Sequence, residues 1–83
     1  MLTQDFEAAI DRRFGAANAK GLREIEINSG DLHRQVGGYP GPNHRMPACC
    51  QAMWNKKRSG DVVVSAPPKL KGASLTIRYH LPR

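Results

Sequence analysis

Apolar residues recur along this chain first with a period near 3.6 and later with a period of 2, and the change divides it into elements. In "TQDFEAAIDRRFGAANAKG" Phe6, Ile10 and Phe14 stand at i, i+4, i+8, with Ala9 and Ala17 on the same side and Glu7, Asp11, Arg12 and Lys20 elsewhere. Residues four apart share one helical face, so the segment predicts an amphipathic helix. Thr3 or Asp5 is placed to cap its start, and Gly21 to supply the left-handed residue that ends it. "REIEI", Arg23 to Ile27, then alternates charge with isoleucine, which predicts a short strand with Ile25 and Ile27 turned inward.

A second helix of about two turns follows in "NSGDLHRQVGG". Ser29 is a good N-cap, Asp31 falls in the first turn where the helix dipole favours an anion, and Leu32 and Val36 are spaced i, i+4. Gly37 and Gly38 stop it.

"NHRMPACCQAMWNKKRSG" predicts a third helix over about 44–58. Met46, Cys49, Cys50, Met53 and Trp54 stand at i, i+3, i+4, i+7, i+8, the stripe of a helix that faces a core. At about 100° per residue, His44, Ala48, Gln51 and Asn55 fall on the opposite side, flanked by Arg45, Ala52 and Arg58. Small alanines there alternate with side chains able to bond base edges or phosphates. Pro47 means that the helix begins there, or that a first turn from His44 is distorted.

Beyond Ser59 and Gly60 the period becomes two. "DVVVSA" predicts one strand, and "ASLTIRYHLP" a second with Leu75, Ile77, Tyr79 and Leu81 on its core face. Between them "PPKLKG", residues 67–72, predicts a projecting hairpin tip that carries Lys69 and Lys71, with Gly72 able to take a positive φ.

Composition narrows the classes. With 83 residues the chain makes one domain, 1–83, around a small core. Thirteen Lys and Arg against seven Asp and Glu leave a net charge of +6, which favours a polyanionic partner, nucleic acid before an anionic membrane surface. No apolar run approaches the roughly 20 residues of a membrane span, and Met1 to Phe14 lacks the apolar stretch of a signal peptide. A cytoplasmic protein without membrane association is expected.

Cys49 and Cys50 are adjacent, poorly placed to bridge each other and too few for a disulfide framework. With His33, His44 and His80 they form no C-x-x-C or H-x-x-x-H spacing, so neither metal nor cofactor is expected. No carboxylate pair, Ser-His-Asp set or Cys-His arrangement can be assembled, and the chain is not expected to be an enzyme.

"GGYPGPNHRMP" interrupts the pattern between the second and third helices. Gly37 and Gly38 release the chain, Pro40 and Pro42 restrict it, and Gly41 bends it, so the loop delivers His44 and Arg45 to a helix start that favours phosphate. A plain connector with Tyr39 packed on the core is the other reading. No Gly-Lys-Ser/Thr follows, as a nucleotide-binding phosphate loop would need.

From Asp5 to Leu81 the order helix, short strand, short helix, longer helix and two-stranded hairpin resembles the winged helix-turn-helix family. The resemblance is topological, and the turn over 37–43 is longer and stiffer than is typical of that family. It implies an α+β winged-helix domain of three helices, a short strand and a C-terminal wing hairpin. It further implies a binder of double-stranded DNA, a small transcription factor or the targeting domain of a DNA-processing partner, with the third helix in the major groove and the wing on the backbone. Gln51 and Asn55 would then read bases, His44 and Arg45 would meet a base edge or phosphate, and Lys56, Arg58, Lys69 and Lys71 would bind the backbone. The alternative is a protein-interaction or structural module of the same fold, and a partner protein or a second copy is left open. RNA is the weaker nucleic-acid reading, since only 6% of residues are aromatic.

Overall fold

The computed structural model describes residues 2–37, 45–69 and 71–83. Three helices, α1 (Thr3–Ala19), α2 (Ser29–Gly37) and α3 (Met46–Lys56), combine with three strands, β1 (Glu24–Asn28), β2 (Val62–Ser65) and β3 (Thr76–His80). The strands form one antiparallel sheet in the order β1-β3-β2. This is an α+β arrangement, and the helices cover one face of the sheet.

Helix α1 buries the stripe its spacing predicts: Phe6, Ala9, Ile10, Phe14 and Ala17. Its cap differs from the expectation. Leu2 is the N-cap and Thr3 is already helical, while Asp5 reaches back from the third position to accept the Leu2 N–H at 2.8 Å. Gly21, at φ 72°, ends the helix as expected, and the Leu22 N–H returns to the Ala17 carbonyl at 3.1 Å.

Helix α2 begins one residue earlier than its predicted cap implies. Asn28, not Ser29, supplies the capping oxygen, accepting the Asp31 N–H at 3.0 Å. Ser29 is buried, and its hydroxyl is committed to the Gly72 carbonyl instead.

In the sheet, Ile25 faces Tyr79 and Ile27 faces Ile77, and Val63 lies beyond Ile77 on β2. Strand periodicity sends these to the inner face and Glu24, Glu26 and Arg78 to the outer one. Arg78 lies 2.9 Å from Glu26 and 3.6 Å from Glu24, an exposed cross-strand cluster. Leu75, Ile77, Tyr79 and Leu81 are buried against Phe14 and Met53 as one core. Tyr79 joins sheet to helix directly, with its hydroxyl donating to the Met53 carbonyl at 2.7 Å and its ring edge-on to Phe14 at 5.1 Å.

Helix α3 is shorter than the predicted 44–58, and its buried arc is displaced. Ala52, expected on the outer flank, is fully buried, whereas Trp54, expected in the core stripe, is half-buried at its margin. The cause is that α3 packs on both α1 and α2, and a helix held on two sides buries a wider arc than one laid on a single sheet.

Candidate nucleic-acid interface

The candidate residues divide into three groups by position. Arg45 stands at the N-terminal boundary of α3 with an exposed side chain, and its N–H donates to His33 Nε2 at 2.7 Å. His33 is fully buried on α2, its ring 5.0 Å from that of Phe6, and so it ties the start of α3 to the helical layer. Sequence reading missed this role, although the i, i+3 spacing from His33 to Val36 already places the histidine on the inner side of α2. His44 and the segment 38–43 lie outside the described residues.

Gln51, Asn55 and Lys56 form the second group, along the seam between α3 and α1. Gln51 Nε2 donates to Asn55 Oδ1 at 2.8 Å, Asn55 Nδ2 donates to Glu7 Oε2 at 3.0 Å, and Lys56 Nζ lies 3.0 Å from Asp11 Oδ2. Glu7 and Asp11 sit four residues apart on one face of α1, which is why both reach α3. The two amides expected to meet bases are therefore oriented but already engaged, and a base would have to displace Glu7 from Asn55.

The third group is carried by the segments around β2. Arg58, just beyond α3, has an exposed side chain, while its N–H donates to Asp61 at 2.7 Å. Lys69 and Lys71 are exposed on the connection between β2 and β3. That connection is less free than a projecting tip. Its second arm is tied down where the Gly30 N–H donates to the Ala73 carbonyl at 3.2 Å and the Gly72 N–H donates to Cys50 Sγ at 3.2 Å. Gly72 does not use the positive φ open to it. Its lack of a side chain matters instead because a Cβ there would lie 3.2 Å from Pro67 Cγ. Both thiols are buried and structural, and burial pushes the Cys49 thiol up to about 12, far from nucleophilic use.

One charged pair escaped sequence reading altogether. Asp61 is buried and accepts from the N–H groups of Arg58 and His80, each at 2.7 Å, and from Arg83 Nη1 at 2.9 Å. Arg83 also donates to the carbonyls of His80 and Lys56, and its guanidinium lies 4.9 Å from the Phe14 ring centre. Burial works to raise the Asp61 carboxyl, but Arg83 and the two backbone N–H groups outweigh it and hold it below the ordinary carboxylate range.

No family model, curated protein or solved structure matches the chain. The chemistry of the surface therefore carries the functional argument. All seven acidic side chains are engaged within the described residues: Asp5 and Glu7 in hydrogen bonds, and the other five in ion pairs with Arg34, Lys56, Arg78 and Arg83. Of the thirteen Lys and Arg, these four are thus neutralised, and among the described residues the remaining nine have no carboxylate within ion-pair distance. Among the described residues no three His, Cys, Asp or Glu side chains gather as metal ligands, and no helix is long and apolar enough to cross a membrane.

Proposed function

We propose that this domain is a winged-helix module that binds double-stranded DNA, as a small regulator or as the targeting unit of a DNA-processing partner, without catalysis of its own. The observation that carries the reading is the charge imbalance: acids consumed within the fold, and nine basic side chains left without acid partners among the described residues, Arg45, Arg58, Lys69 and Lys71 included. In this reading α3 lies in the major groove, Arg45 meets a base edge or phosphate at its start, and Asn55 turns from Glu7, and Gln51 from Asn55, towards adenine. The β2–β3 connection is the wing, and Lys69 and Lys71 hold the phosphate backbone.

Fluorescence titration with duplex DNA at low and moderate salt tests this. Binding that falls steeply with salt is expected, and Lys69→Gln or Lys71→Gln should each lower the salt slope by about 0.9 on every duplex. Gln51→Ala or Asn55→Ala should cost roughly 1–3 kcal/mol on a preferred site and far less on random DNA. Absence of binding at low salt would refute the DNA reading. It would leave the second reading, a protein-interaction module, which the engagement of Asn55 by Glu7 favours.

A further inference from the structure

A cleft of about 410 Å³ opens between the middle of α1 and the C-terminal end of α3, with Phe14 in its lining. Around it stand Lys56, Arg58 and Arg83 against a single carboxylate, Asp11. Arg83 is spoken for, held on Asp61 and 6% exposed. Arg58 has an exposed side chain and no acid partner among the described residues. Among the described residues the Lys56 ammonium is held only by Asp11, whose side chain is 56% exposed, so a stronger anion in the cleft can take it.

Gly15 is the independent clue. It lies inside α1, where glycine destabilises a helix relative to alanine. Packing does not require it, because a Cβ built there meets nothing within 4 Å. Its position on the cleft wall supplies the missing reason: a side chain at residue 15 would fill the space in front of Lys56 and Arg58.

We infer that this cleft is a phosphate-binding site, with Arg58 and Lys56 as its cations, Asp11 as the internal anion that a phosphate displaces, and Gly15 as the residue that keeps it open. The inference deepens the DNA reading and rests on it for the source of the group, a backbone phosphate. A free phosphate-bearing small molecule has the same chemistry, and the two are separated by experiment. The cleft also lies beside Asn55, so a phosphate seated there would fix the register of α3 on a duplex.

The test follows the backbone amides of Gly15 and Arg58 by NMR while inorganic phosphate, and separately a short DNA duplex, is added to the full chain. Both ligands should shift these amides saturably. Arg58→Gln should abolish the shifts with phosphate and lower the salt slope for the duplex by about 0.9. Gly15→Gln should weaken both ligands while its unfolding midpoint does not fall, so that loss of binding cannot be ascribed to loss of fold. Asp11→Asn should tighten phosphate about twofold, the worth of an exposed ion pair that no longer competes for Lys56. Asp31→Asn removes the same charge from the exposed pair with Arg34 on α2 and should leave phosphate affinity unchanged. Equal tightening by Asp11→Asn and Asp31→Asn, or a duplex that binds without moving Gly15, overturns the cleft while leaving DNA binding in place. Phosphate that moves Gly15 in a protein that ignores duplex at low salt upholds the cleft, assigns it to a small phosphate ligand and removes the DNA reading.

Discussion

Two carboxylate–cation pairs flank the end of α3 at nearly the same distance, Asp61 to Arg83 at 2.9 Å and Asp11 to Lys56 at 3.0 Å. Their surroundings differ. The Asp61 and Arg83 side chains are 0% and 6% exposed, and each has further backbone partners, whereas those of Asp11 and Lys56 are 56% and 28% exposed. Distance therefore does not rank them. A buried pair cannot lose one member without stranding the other in a poor solvent, while an exposed pair trades its partner for water at little loss. One pair belongs to the fold, and the other is free to exchange with a ligand.

The largest effect that would sharpen this contrast comes from Asp61→Ala. It leaves the Arg83 guanidinium buried without its anion and also strips the acceptor from the Arg58 and His80 N–H groups. Urea unfolding should register a loss of about 3–5 kcal/mol. For a domain this small that loss is comparable with the whole stability. A loss below about 1 kcal/mol would erase the distinction between the two pairs.

Acid offers a graded version of the same break. The folded Asp61 carboxyl sits below its ordinary value of about 3.9, so its contribution is complete above that value and is lost as pH falls through the lower, folded one. Thermal midpoints measured from pH 6 downwards should fall for the wild-type chain. Asp61→Asn should start lower and lose less over the same range. Parallel curves would mean that Asp61 is not the titrating group.

These two pairs also mark what could be read without coordinates. The faces of α1 and β3 were legible because Phe6, Ile10 and Phe14, and Leu75, Ile77, Tyr79 and Leu81, repeat at the period of the element that buries them, and all are buried. Periodicity names the inward side but not the neighbour met there. Ala52 looked peripheral because one stripe was assumed, and packing on two helices buried it. Ser29 looked like a cap, but its hydroxyl was drawn to Gly72, 43 residues away. The Asp61–Arg83 pair spans 22 residues and the Asn55–Glu7 contact 48, and no local pattern encodes either. Of the candidate site, exposure at Arg45, Arg58, Lys69 and Lys71 was legible from their polarity, while the engagement of Asn55 and Lys56 by α1 was not.

A smaller effect, of opposite sign, is expected from Gly15→Ala. Alanine has open space at this helical position and removes conformational freedom from the unfolded chain, so stability should rise by about 0.5–1 kcal/mol in the same urea measurement. The methyl would stand on the cleft wall, so the same change should weaken phosphate binding while it steadies the fold. A decrease in stability would mean that the glycine is needed by the fold, and the cleft would lose its explanation for Gly15.

The smallest effect is the one that most directly checks the exposed half of the comparison. A double-mutant cycle of Asp11→Asn with Lys56→Gln isolates their coupling, since each change removes one charge and keeps a polar side chain in its place. The coupling should be below about 0.5 kcal/mol and should vanish in molar salt, because water and ions already compete for both groups. Lys56 also accepts Arg83 through its carbonyl, but that bond is to the backbone and survives the substitution. A coupling above about 2 kcal/mol would show that Asp11 holds Lys56 as firmly as Asp61 holds Arg83. An ammonium bound that tightly would not be released to a phosphate, and the α1–α3 seam would then be a structural lock like its buried neighbour.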